Sequence, residues 1–213
     1  MTLRPWARRC AAGTVSATAL VALAIPAEAA TATAGTTNAA TATMTATAQD
    51  VDYGTWQRDC RAVMDQALPY LKQRIANTAP GEKQAIVFDI DNTTLETDFG
   101  FSYPQPANQP VLEVAKYAQE RGVSLFFVTA RPGIIYSFTD HNLKYSGYKV
   151  SGLYVRGFLD LFKNVADYKT AQRVDIEKKG YTIIANIGNS ATDLSGGHAE
   201  KTYKLPDYDG QLS

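Results

Sequence analysis

Three short apolar runs, each closed by a polar cluster and separated by stretches of helical periodicity, constrain this chain more than any other feature. Residues 84–88, 124–128 and 181–187 are mostly aliphatic and aromatic. They are too short for helices and lack strict in-out alternation, so they read as strands buried on both faces. Between and around them the apolar spacing changes. Trp56, Cys60, Val63, Met64, Ala67, Leu68, Leu71 and Ile75 recur every three or four residues, which predicts one face of a helix. Val111, Val114, Ala115 and Ala118 predict a second helix stopped at Arg121-Gly122. Pro132 is read as the start of a third, carrying Ile134, Ile135, Phe138 and Leu143. Asp167 is read as the N-cap of a fourth, which Lys178-Lys179-Gly180 ends. Residues 153–155 and 202–205 are read as further short strands.

Strands that alternate with helices imply an α/β fold, a Rossmann-like three-layer sandwich with a mainly parallel central sheet. Ligands of such sheets bind beyond the carboxyl ends of the strands. The polar clusters stand at those ends: Asp89 and Asp91 after the first run, Thr129 and Arg131 after the second, Asn189 and Asp193 after the third. In a parallel sheet all three converge on one edge.

Asp89 and Asp91 are two residues apart, so a continuing strand would turn both carboxylates to one side. Their repulsion calls for a cation or a shared proton, and a hard, oxygen-rich site favours Mg²⁺. Aspartates at strand ends also simply cap turns, and that reading stays open for the pair taken alone. Thr129 stands where a hydroxyl and the following N–H groups could meet a phosphate oxygen, and Arg131 adds a planar donor fork. Either residue alone is equally at home in a turn or on the surface. Lys169 is read in the first turn of its helix, an unfavourable place for a cation beside the helix dipole. Gly188 allows a tight turn before Asn189, and Asp193 offers a second oxygen ligand.

The 213 residues divide into an export signal, 1–29, a disordered leader, 30–49, and one folded domain, 50–213. Arg4, Arg8 and Arg9 precede an apolar run of small residues, and Ala27-Glu28-Ala29 has the small-x-small form of a cleavage site. The run is too short and too rich in Ala, Thr and Gly to anchor the chain in a bilayer. Residues 30–49 are almost wholly Ala and Thr and cannot offset their ordering entropy. Cleavage near Ala29 leaves 18 basic against 20 acidic residues. Nothing in that balance favours nucleic acid or a membrane surface as partner. Cleavage also leaves Cys60 without a second cysteine, as a buried small hydrophobe. With His141 and His198 the only imidazoles, a zinc site of Cys or His type is disfavoured.

Six runs, taken in order, carry a resemblance: Phe88-Asp89-Ile90-Asp91-Asn92-Thr93, Val128-Thr129-Ala130-Arg131, Tyr168-Lys169-Thr170 with Arg173, Gly180-Tyr181, Ile187-Gly188-Asn189 with Asp193-Leu194, and Tyr203-Lys204-Leu205-Pro206. Here the chain resembles the haloacid dehalogenase-like superfamily, most closely its secreted acid phosphatases of the class B and plant vegetative-storage-protein type, over about residues 53 to 207. The resemblance implies a secreted Mg²⁺-dependent phosphatase acting on small phosphomonoesters or nucleotides. Asp89 would be the nucleophile that becomes an aspartyl-phosphate, and Asp91 the acid and base. Thr129, Arg131 and Lys169 would hold the phosphoryl group. Asp89, Asp91 through its backbone carbonyl, Asn189 and Asp193 would hold Mg²⁺. Asn189 stands where the family usually has Asp, which implies weaker metal binding and a rival reading as a catalytically weak binding or storage protein. The interval from Leu95 to Val111 is too short for a separate cap domain. It leaves an open site bordered by Phe99, Phe101 and Tyr103, which either stack on substrate or pack the loop down.

Overall fold

The computed structural model describes residues 51–100 and 102–212; the expected export signal, the leader and Phe101 lie outside them. Helix α1, Tyr53–Ala76, opens at Asp52, whose carboxylate accepts the Thr55 N–H at 2.7 Å. Its buried stripe is Trp56, Cys60, Met64, Ala67 and Leu71, as the periodicity requires. Burial, above all, pushes the Cys60 thiol up to about 12, so it is protonated and inert.

Strands β1, Lys83–Phe88, β2, Ser124–Pro132, β3, Val150–Arg156, β4, Tyr181–Gly188, and β5, Thr202–Lys204, form one sheet in the order β3-β2-β1-β4-β5. Every pairing is parallel. Side chains alternate across the sheet and bury both its faces. Ile86, Phe88, Leu125 and Phe127 pack beneath α1 and α2, Gln109–Gln119. Leu143 of α3, Tyr136–Tyr145, joins that cluster. Ala85, Val87, Phe126 and Val128 face Tyr168 and Ile176 of α4, Val165–Lys178. At about 1.5–3 kcal/mol for each large side chain taken fully out of water, these two clusters hold the three layers together. No separate cap domain interrupts the described residues between β1 and α2.

Three expectations are corrected. Pro132 closes β2 rather than opening a helix, because the strand runs on past residue 128 and carries Arg131 out to the sheet edge. A single 3₁₀ turn follows and α3 begins only at Tyr136. Consequently Leu143 is buried, whereas Ile134 and Phe138 are 89% and 63% exposed. The N-cap of α4 is Asn164, not Asp167: the Asn164 side chain accepts the N–H groups of Ala166 and Asp167. Asp167 then lies in the first turn, and Lys169 sits in the second, less opposed by the helix dipole. Gly180 closes α4 in the left-handed region, at φ 85°, its N–H donating to Glu177 O.

The register aligns Phe88 with Phe127 on one side and Ile187 on the other, so the residues after β1, β2 and β4 emerge side by side. The chain moves outward from β1 to β3 and then crosses back to β4. Loops on the two sides therefore diverge between β1 and β4, and a crevice opens there.

Candidate active site

The Asp89 N–H donates to Ile187 O at 2.9 Å, which ties the end of β1 to β4 at the crevice. The strand stops there instead of carrying Asp91 onward. The Ile90 carbonyl accepts the N–H groups of Thr93, Thr94 and Leu95 in a tight turn, with Asn92 left-handed at φ 52°. Both carboxylates nevertheless reach one cavity of about 290 Å³, which Lys169, Asn189 and Asp193 also line.

Lys169 Nζ lies 2.6 Å from Asp89 Oδ1 and 2.5 Å from Asp193 Oδ1, and all three side chains are almost wholly buried. Burial, above all, pushes the Asp89 carboxyl upward; Lys169 opposes that shift, while Asp193 and Asp91 add to it. Burial disfavours the Lys169 charge as well, but Asp89 and Asp193 outweigh it and hold the ammonium above its usual value. The other oxygen of Asp193 accepts the Ser190 N–H at 2.8 Å, closing a capping box at the start of a short helix, Ala191–Leu194. Asp193 is thus the counter-charge of Lys169 in this geometry, with both its oxygens engaged.

Arg173, one helical turn beyond Lys169 and fully buried, donates to the carbonyls of Asp193 and Gly197 at 2.8 and 2.9 Å, and to that of Ser195. It fastens the loop that presents Asp193. Its place four residues after Lys169 put it on the same helix face, a signal available in the sequence.

Gly188 has a different role from the turn expected of it. A Cβ there would collide with the Cβ and carboxylate of Asp193, so glycine is required by close approach rather than by φ. Gly188→Ala is expected to cost about 1–3 kcal/mol by overpacking, read as a lower urea midpoint. An unchanged midpoint would show that the loop yields freely.

Asp91 is more open, its side chain 36% exposed. The Arg131 guanidinium grips it, with Nη2 at 2.7 Å and Nε at 3.1 Å, and the Thr97 hydroxyl donates at 2.9 Å. Burial pushes Asp91 upward, but the hydrogen bonds and charge of Arg131 more than offset it and hold the carboxyl below its usual range. Arg131 therefore meets an aspartate rather than standing open. Thr129 is fully buried at the sheet edge; its oxygen accepts the Arg131 N–H at 3.1 Å, which leaves its hydroxyl proton available as a donor.

Asp91 and Thr97 also line a second hollow of about 430 Å³, walled by Tyr103, Phe138 and Arg131. Asn142 fixes its rim by accepting the Gln105 N–H at 2.7 Å and donating to Gln105 O at 2.8 Å. Of the loop aromatics, Phe99 is turned inward, stacked on Trp56 with ring centroids 4.4 Å apart and edge-on to Tyr53. It packs the loop down. Tyr103 is 55% exposed and edge-on to Phe138 in the second hollow.

The residues fit a hard divalent cation. Asp89, Asp91, Asp98, Asn92 and Asn189 bring only oxygen acceptors and amides to the cavity, with no sulfur or imidazole. Among the described residues no three carboxylate, imidazole or thiol side chains gather as ligands by themselves, so the set depends on amide and backbone oxygens as well.

The HAD superfamily, subfamily IIIB (Acid phosphatase), matches the chain over residues 9–105 and 101–211. The Stem 28 kDa glycoprotein of Glycine max is 28% identical over 185 residues, which cover 76% of this chain and 71% of its own. A Stem 31 kDa glycoprotein of Glycine max is also 28% identical over 185 residues, 76% of this chain and 62% of its own. The class C acid phosphatase of Bacillus anthracis shares the fold, with a TM-score of 0.55 and 18% identity over 68% of this chain and 67% of that one. A family match running through β1, β2, α4 and β4 and an acidic crevice at their ends lead to one assignment: the chain belongs to the acid phosphatases of HAD subfamily IIIB.

Proposed function

We propose that the protein is a secreted, Mg²⁺-dependent acid phosphatase that hydrolyses small phosphomonoesters through an aspartyl-phosphate on Asp89. The observation that carries this reading is a buried Asp89 paired with Lys169 at 2.6 Å, in a cavity that shares Asp91 with an aromatic-walled hollow. A phosphoryl group seated against Asp89 would place its ester group toward Asp91 and the hollow beyond.

In the first step an Asp89 oxygen attacks phosphorus and the bond to the ester oxygen breaks, while Asp91, having taken a proton from solvent against the hold of Arg131, gives that oxygen its proton. In the second, Asp91 takes a proton from water, the water oxygen attacks phosphorus, and the Asp89 carboxylate leaves with phosphate as product. Lys169 and the Thr129 hydroxyl neutralise and hold the phosphoryl oxygens. Arg131 orients Asp91 through its two-point grip. Asp89, the Asp91 backbone carbonyl and Asn189 would supply the oxygens for Mg²⁺, and Asp193 would join them by exchanging its contact with Lys169 or Ser190 for the metal; the cation would offset repulsion between an anionic nucleophile and an anionic substrate.

The test is phosphate release from an aryl phosphate by the chain from Ala30 onward. Chelation is expected to abolish release and added Mg²⁺ to restore it. A folded chain inert toward several monoesters across the acid and neutral range would instead support a binding or storage protein on this fold. The hollow makes a further prediction. Phe138→Ala is expected to lower kcat/KM for aryl phosphates and nucleotides by about tenfold, the worth of one aromatic contact, and to spare small alkyl phosphates. Equal losses on both substrate types would remove the hollow as a leaving-group site.

A further inference from the structure

Asn189 is hydrogen-bonded at both ends of its side chain. Its Oδ1 accepts the Thr93 hydroxyl at 3.2 Å, and its Nδ2 donates to the Leu212 carbonyl. The same carbonyl accepts Asn92 Nδ2 at 3.3 Å. A carbonyl cannot donate, so the Asn189 amide must present nitrogen to Leu212 and oxygen to Thr93. Two asparagines that line the cavity are thus held by one backbone oxygen lying 120 residues from Asn92 in the chain.

That oxygen is itself well anchored. The Leu212 side chain is 4% exposed and packed in the core against which α1 lies. Its N–H donates to Asp207 O at 3.1 Å, and Tyr208 OH donates to Asp59 of α1 at 2.7 Å. Tyr208 and Asp209 hold left-handed backbone, at φ 49° and 56°, which non-glycine residues keep only where their surroundings impose it. Residues 207–212 are therefore a built turn inserted behind the site.

We propose that Asn189 does more than offer an oxygen to the cavity: its amide docks on Leu212, and the turn 207–212 holds the two cavity amides in place. Aspartate at this position, matching Asn189 in size, has no donor: it would set a carboxylate oxygen against the Leu212 carbonyl oxygen, two acceptors face to face. On this view Asn189→Asp does not repair a weakened metal ligand. It breaks the contact that orders the loop after β4.

The test compares Asn189→Asp and Leu212→Ala with the wild-type chain by amide hydrogen exchange and by steady-state kinetics. Leu212→Ala alters a side chain outside the cavity, and Leu212→Val replaces it if the chain does not fold. Exchange across residues 207–212 is expected to accelerate about tenfold or more in both variants, through loss of the hydrogen bond to the Leu212 carbonyl in Asn189→Asp and of the buried Leu212 side chain in Leu212→Ala. The kcat for aryl phosphate is expected to fall by at least as much, with KM little changed, because fewer molecules hold the ordered loop. Unchanged exchange in Asn189→Asp together with higher turnover would overturn the proposal and leave Asn189 as a weakened ligand. So would a loosened turn in the Leu212 variant with kcat intact. The kinetic arm rests on the phosphatase reading. The exchange arm is read without substrate, so failure of that reading is distinguishable from failure of this one.

Discussion

Asp89→Asn is expected to abolish phosphate release while leaving the fold intact. The substitution keeps the size of the side chain but replaces a carboxylate oxygen, able to attack phosphorus, by an amide that is not a nucleophile. On the proposed mechanism, loss of the group that carries the covalent intermediate should lower kcat on the order of 10⁴-fold or more. Stability should move little or rise. Asp89 is buried beside Asp193 and Asp91, and burial already pushes its carboxyl upward, so its charge is costly where it stands. Lys169 would retain Asp193 at 2.5 Å and not be left alone. The check is an aryl phosphate assay beside a thermal melt on the same preparation. A variant with a lower melting temperature and residual turnover near wild type would make Asp89 a structural carboxylate.

Lys169→Met is expected to lose both activity and stability. Removing Nζ leaves Asp89 and Asp193 buried with no cation between them, and breaking a buried pair in this way costs about 3–5 kcal/mol. The deficit should depend on pH with a definite sign. In the metal-free variant, burial and the neighbouring Asp193 charge raise the folded-state pKa of the Asp89 carboxyl above the unfolded value of about 3.9. The folded state then binds more protons than the unfolded state, so stability falls as pH rises through the raised value. The stability deficit against wild type should be smallest in acid and largest at neutral pH and above. Urea melts at acid and neutral pH, in chelator, measure it. A deficit that does not change with pH would mean the carboxylates find other partners. Lys169→Arg should not rescue, because a planar guanidinium does not fit where one ammonium touches two carboxylates at 2.5 and 2.6 Å.

Much of the architecture was legible in the residues themselves. The apolar runs ending at Phe88, Val128 and Ile187 could only be buried strands, and the stripe from Trp56 to Leu71 only a helix face, because local periodicity states which side of an element leaves water. Parallel strands then carried Asp89, Arg131 and Asn189 to one edge without further information. Boundaries were less legible. A proline starts helices often enough that Pro132 gave no sign of the strand running through it, and Asn164 caps α4 as readily as Asp167 would have done.

What the tertiary structure alone decided is which polar groups meet. Lys169 pairs with Asp89 across 80 residues of sequence, Arg131 with Asp91 across 40, and Asn189 with Leu212 across 23. Phe99, for which the sequence left open both substrate stacking and packing of the loop, is drawn against Trp56 and Tyr53. None of these contacts leaves a periodic trace. Each depends on the strand order β3-β2-β1-β4-β5, which sets distant loops against one another, and the free energy of a hydrogen bond or ion pair depends on the partner it meets and the water it loses.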